Sequence, residues 1–306
     1  RGSIANECFA LLKYLGKGDS RASFQGSTSD NSTETRRLFG IQAWLKDSCA
    51  KEVEQEIKQA LSESNKYTAL LAAVSGGDTQ KACTVADDLG FHNLAAMLAA
   101  GPEAKSDILS EVMAWTDSGA TSKMPDDLIR SYFLLGGDLT MEENIFKRRH
   151  SPFDWRRNLA MDLTYCPATM KQGVSSLVSS YDEKVSKGLA PFPVPRYTSS
   201  ESRELMECVS YRLLRLGRQA SVTPLCAVVD PRGYTASIHD FSLAFHLAAA
   251  ISAMGCPLPL NEVEEQILID GYAAQLVAAG QWEWAVYTLM CKFSKSSSVG
   301  SLWKQT

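Results

Sequence analysis

The residues able to do chemistry are few and scattered along the chain. There are four histidines, His92, His150, His239 and His246. Metal capture by a helix needs ligands at i, i+4, as in an H-E-x-x-H arrangement, so that two side chains share one face a turn apart. His239 and His246 are seven residues apart beside Asp240, and ordinary helix packing accounts for them. The eight cysteines, Cys8, Cys49, Cys83, Cys166, Cys208, Cys226, Cys256 and Cys291, include no C-x-x-C pair. Thiols spread through apolar stretches behave as small hydrophobes, which suits a reducing compartment and opposes both a disulfide framework and structural zinc. Cys166 and Cys256, each followed by proline, are the conceivable nucleophiles, but a thiol at the end of an apolar helix is buried and inert. Neither G-x-S-x-G nor a phosphate-cradling glycine loop nor a dinucleotide fingerprint occurs. The sequence therefore predicts no catalytic residue, no cofactor and no metal site, and points to a non-enzyme that binds other proteins.

The elements that position such a surface are helices. Alanine (34) and leucine (33) far outnumber valine (16) and isoleucine (10) in the 306 residues. Ala and Leu lose little freedom in a helix, whereas β-branched residues favour strands. A hydrophobic fraction of 45% with 22% charged residues is that of a globular chain. The net charge of −4 argues against nucleic acid or an anionic membrane as main partner, since both call for dense Lys and Arg. No run approaches the roughly 18 apolar residues of a membrane span. The start Arg1-Gly2-Ser3, without Met or a signal peptide, predicts an expressed fragment that lacks some N-terminal binding segments.

Helices separated by short Gly- or Pro-marked breaks are expected from end to end. Residues 4–15 form the first, and 17–35, rich in Ser, Thr, Gly and Asp, read as a flexible loop. Residues 37–63 read as one or two helices with a candidate break at Asp47-Ser48. Tyr67, Leu70, Leu71 and Val74 mark a helix ended by Gly76-Gly77, and helices over 79–89 and 92–100 end at Gly90 and Gly101. The next two carry Ile108, Leu109, Val112 and Trp115, then Leu128, Ile129, Tyr132 and Leu135. Thr140 and Glu143 have capping-box spacing. Trp155, Leu159 and Leu163 line up within 153–165, and an amphipathic helix covers 170–187. Leu189 to Pro195, with three prolines, must be extended. Helices resume over 201–216, about 238–254, 261–279 and 281–293, after an irregular connection at 218–236. Some fifteen helices on short connections make antiparallel neighbours stacked as a solenoid, a form whose large side surface usually binds proteins. No strict repeat period is present.

Two clusters invite functional readings. Lys147-Arg148-Arg149-His150 suits a localisation or docking element, but also the negative end of a helix dipole, and the second reading is the simpler one. Gln281-Trp282-Glu283-Trp284-Ala285-Val286-Tyr287 could hold an aromatic ligand. Trp282, Val286, Leu289 and Phe293 fall on one helical face, so core packing is expected, with Trp284 off the stripe.

The stretch from Asp270 to Val286 resembles a helix of the coat nucleoporin released from the C-terminal part of the autoproteolysed FG-repeat nucleoporin precursor, S-Y-A-x-Q-L-E-x-x-G-x-W-E-W-A. Tyr272, Ala273, Gln275, Leu276, Gly280, Trp282, Glu283, Trp284 and Ala285 match it. Asp154-Trp155-Arg156-Arg157 is similar to that family's D-W-K-R helix, and Asp240 to His246 to its D-Y-R-L-x-W-H helix. His92 to Leu98, through Trp115, resembles its small-residue helices. The likeness runs from about 90 to 290. It implies the ancestral coatomer element fold, an all-α, folded-back α-helical solenoid block of trunk, crown and tail modules. The trunk would be 1–63 with 153–294, the crown 65–150 and the tail 295–306, in a single domain. It further implies a scaffold subunit of the Y-shaped nuclear pore coat at the nuclear envelope, paired through its crown with a helical nucleoporin. A WD-repeat β-propeller would bind an N-terminal blade that has no counterpart in this sequence, and no autoproteolysis site is present. Apolar residues outside the inner stripes, Phe91, Met97, Met113 and Phe133, are the expected crown contacts. The related alternatives are an outer-cage subunit of a COPII-type vesicle coat and a generic helical-repeat adaptor.

Overall fold

The computed structural model describes residues 2–16, 31–137, 153–197, 206–218, 230–254 and 262–291. Among these the chain is all-helical. Thirteen α-helices follow one another. They are α1 (Gly2–Leu15), α2 (Asn31–Ser62), α3 (Lys66–Ser75), α4 (Thr79–Asp88), α5 (His92–Ala100), α6 (Lys105–Asp117) and α7 (Asp126–Gly136). Then come α8 (Trp155–Tyr165), α9 (Pro167–Ser186), α10 (Val209–Arg218), α11 (Ser242–Ala253), α12 (Glu262–Ala278) and α13 (Trp282–Leu289). The chain forms two compact units, one of residues 38–191 and the other of 1–37 with 192–306, so one boundary falls inside α2.

Several local expectations are corrected. Helix α2 runs unbroken through Asp47-Ser48, and it already includes residues 31–35 of the expected loop; residues 17–30 lie outside the described ones, as do Thr140–Glu143 and Lys147–His150. Pro102 opens a 3-10 turn, Gly101–Ala104, ahead of α6. Helix α9 is bent at Gly173, whose φ of 83° lies in the left-handed region that glycine tolerates. Helix α10 begins only at Val209, because Cys208 donates its N–H to Pro193 O at 2.7 Å instead of to a preceding turn. Gly217 does not stop that helix. Leu189 to Pro195 is non-helical, as its prolines require.

The 38–191 unit is built around α8. Helices α3, α4 and α5 pack in succession, α3 and α6 meet α7, and α8 lies against α3, α7 and α9. Nearly every residue of α8 is buried, including Arg156, Arg157, Asn158 and Asp162. Asp154 caps its start by accepting the Arg157 N–H at 2.9 Å. Trp155 packs 6.4 Å from Trp44 of α2. The Arg157 guanidinium donates to both Glu56 oxygens at 2.7 and 2.6 Å and to Ala72 O at 3.1 Å. One side chain thus ties α8 to α2 and α3. At the far end Tyr165 O–H donates to Val74 O at 2.8 Å, and Lys105 Nζ donates to Tyr165 O at 2.8 Å. Burial pushes the Asp162 carboxyl up against the opposing pull of Lys184, whose Nζ is 2.6 Å away. The core of this unit is filled by Leu70, Leu94, Leu98, Ile108, Ile129 and Phe133, among others. The Cys49 thiol is pushed up to about 12 by burial.

In the second unit α1 packs on α10 and α11, α11 on α12, and α12 on α13. Cys8 Sγ lies 3.8 Å from Ser210 Oγ in the α1–α10 contact, and Arg196 reaches Glu7 at 2.8 Å.

Removal of the half-exposed Glu56 strands the buried Arg157 cation. Glu56→Ala should therefore cost about 2–3 kcal/mol, several times the ~0.5 kcal/mol of an ordinary surface change. Urea unfolding of the two chains measures it.

Candidate protein-interaction surface

The four expected crown contacts occupy different environments. Met113, on α6, is 53% exposed. Phe91 sits between α4 and α5, its ring 5.7 Å from that of Tyr67, with Lys66 Nζ 5.2 Å away. Met97 is partly buried and helps line a cleft of about 80 Å³ with Leu98, Ile108, Leu135 and Tyr165. Such a space is far below the roughly 300–1,000 Å³ of a small-molecule site. Phe133 lies in the core. Only Met113 of the four stands clear of the fold.

The signature residues divide in the same way. Trp155 is fully enclosed. In the other unit, the Asp240–His246 block and the Tyr272–Gln275 block meet across the α11–α12 joint. Asp240 is buried just ahead of α11, accepting from Ser242 Oγ at 2.6 Å and from the Ser242 N–H at 3.4 Å, while Tyr234 O–H donates to its carbonyl oxygen. The helix starts at Ser242, not at about 238 as periodicity predicts. Gln275 Oε1 accepts the Phe241 N–H at 2.9 Å, and its Nε2 reaches Asp240 Oδ1 at 3.5 Å. Gly271 lets the Phe241 ring lie directly on α12; a Cβ there would stand 2.4 Å from the ring. Tyr272 stacks on Phe245 at 4.7 Å, and its hydroxyl is 3.1 Å from His246 Nε2. The family motifs of 240–246 and 272–275 are therefore two halves of one joint.

Helix α13 overturns the core reading of its stripe. Trp282 is 64% exposed, Trp284 is 62% exposed, and Val286, Tyr287 and Leu289 are also open to solvent with Glu283. Only Ala285 and Thr288 are buried, and Ala285 packs with Ala273 and Leu276 of α12. Phe293 lies outside the described residues. On α12 Val263, Ile267 and Val277 are exposed as well. These three were missed by sequence reasoning, yet a signal existed. Leu268, Ile269, Ala273 and Leu276 form one apolar stripe, and Val263, Ile267 and Val277 a second, whereas a helix packed on one side needs only one.

No group of three or more His, Cys, Asp or Glu that could hold a metal ion occurs among the described residues. His239 is exposed, and His246 serves the Tyr272 contact. His92 Nδ1 lies 2.6 Å from Asp87 on the surface. Cys166 Sγ donates to Gly137 O at 3.5 Å, and Cys256 lies outside the described residues.

His246 is exposed, and partial desolvation of its ring lowers the imidazole below its usual range, so the folded chain binds that proton slightly less well than the unfolded one. The associated stability is present above the unfolded value of about 6.5 and is lost as pH falls through it toward the lower folded value. The thermal midpoint should drop less between pH 7 and pH 5 in His246→Gln than in the parent chain. Parallel melts at the two pH values check this.

Residues 68–298 match the family model Nup96, "Nuclear protein 96". The chain is 22% identical over 233 residues to "Nuclear pore complex protein Nup98-Nup96" of Drosophila melanogaster, which covers 72% of this chain and 12% of the relative. It is 22% identical over 266 residues to "Nuclear pore complex protein NUP96" of Arabidopsis thaliana, 83% of this chain and 24% of the relative. The corresponding Dictyostelium discoideum Nup98-Nup96 is 20% identical over 291 residues, 88% of this chain and 14% of the relative. The chain thus spans less than a quarter of the length of these relatives. On the match over residues 68–298, which is most of its length, this chain belongs to the Nuclear protein 96 family.

Proposed function

We propose that this chain is the helical part of a structural scaffold subunit in the outer-ring coat of the nuclear pore complex, at the nuclear envelope. The observation that carries this reading is the family match across 68–298, set on a stack of helices whose polar residues are spent on joints between elements. Relatives named as nuclear pore complex proteins favour a pore coat over a COPII-type vesicle coat. The role is non-enzymatic: the parent holds neighbouring subunits in register. The trunk would comprise 1–63 with 153–294, the crown 65–150 and the tail 295–306. The crown would meet a neighbouring helical nucleoporin, with Met113 as its accessible apolar contact. A WD-repeat propeller would bind a segment of the parent that precedes these residues. No described helix is long and apolar enough to cross a membrane, and the net charge of −4 suits protein partners better than nucleic acid.

Affinity capture of the tagged full-length parent should recover helical and propeller nucleoporins, and Met113→Glu should reduce recovery of the helical neighbour at least tenfold with helicity and melting unchanged. Phe133→Glu should instead unfold the chain, since it drives a carboxylate into the core. Recovery of COPII components in place of nucleoporins would overturn the coat assignment. Undiminished capture by Met113→Glu would overturn the role of the crown contact.

A further inference from the structure

Helix α13 has only eight residues, too short to be stable by itself in water. It carries Trp282, Trp284, Val286, Tyr287 and Leu289 around most of its circumference, with Met290 directly after it. A helix that is apolar all round belongs in an interior, yet the buried positions of α13 are Ala285 and Thr288 alone. Trp282, Val286 and Met290 recur at i, i+4 and i+8, and Val263 and Ile267 at i, i+4 on α12. Rows at this spacing are the ridges into which a further helix packs. The charge around them is of one sign. The exposed carboxylates of the hairpin are Glu262, Asp270 and Glu283, Glu265 being buried, and from Glu262 to Met290 there is no Lys, Arg or His.

We propose that the α12–α13 hairpin is a docking site for a polypeptide partner, an amphipathic helix whose apolar stripe is flanked by Lys or Arg. Charge decides among the possible occupants. A second copy of the hairpin would bring three exposed carboxylates against three, and an anionic lipid surface would repel the same rim. A basic-flanked helix satisfies the apolar stripe and the acidic rim together. The site lies outside residues 65–150 and is independent of the crown contact, so loss of one interaction with retention of the other separates them.

The test uses the full chain and two dye-labelled synthetic amphipathic helices with the same leucine face, one flanked by Lys and one by Glu. Fluorescence anisotropy should show saturable binding of the Lys-flanked peptide only, weakened as salt is raised. Trp282→Glu with Val286→Glu should weaken it at least tenfold. Glu262→Lys with Glu283→Lys, which leaves the apolar face intact, should weaken it at least fivefold and guards against loss of fold in the first variant. Equal binding of both peptides, no binding of either, or no loss in the rim variant would overturn the proposal. So would binding to anionic vesicles in place of the peptide, or a dimer that Trp282→Glu with Val286→Glu makes monomeric.

Discussion

Helix α8 carries two arginines, an asparagine and an aspartate into an enclosed position, and a charge out of water must be met there by a partner. The neighbouring elements are arranged to meet them. Arg157 bridges to Glu56 of α2 and to the Ala72 carbonyl of α3. Asp162 takes Lys184 from α9. The Arg156 guanidinium lies over the Trp155 ring at 4.5 Å, with Asp154 3.8 Å away. A buried pair adds little net stability over a hydrophobic substitute, but it penalises any register in which one partner is displaced. In this unit these bonds tie α2, α3 and α9 to α8, while apolar burial supplies the driving force.

In the other unit ion pairs such as Arg196–Glu7 and Arg212–Glu207 occur as well, while the α11–α12 joint is held by neutral bonds and a carboxylate at a helix start. Asp240 spends its carboxylate on the start of α11, and Gln275 bridges from α12 to the same turn. Tyr272, Phe245 and His246 close the aromatic side of the joint. These residues belong to the stretches that resemble the family motifs. They hold α11 against α12 across the joint. Small distortions at each joint would add along a stack.

The W-E-W block has the opposite character. It lies within the same motif as Tyr272 and Gln275, yet its tryptophans point away from the joint. In a stacked array a terminal pair needs a polar outer face to remain soluble. The exposed face of the α12–α13 hairpin is apolar.

Much of the fold was legible in local chemistry. The Ala and Leu excess, the glycine stops after α3 and α5, and the prolines of 189–195 act within a few residues of one another, so the sequence alone determined that the chain is helical and where most helices end. Starts were less legible, because Asp240 and Cys208 make their deciding bonds to groups that periodicity does not show. Burial was the least legible. Trp155 and Trp282 are the same residue type at the start of apolar helical stripes, yet one is enclosed and the other is 64% exposed. Phe133 and Met113 divide likewise. A stripe records that a face is apolar, and only the tertiary structure decides whether another element of this chain covers it. The physical reason is that burial depends on neighbours distant in sequence. For α13 the tertiary structure leaves that face exposed.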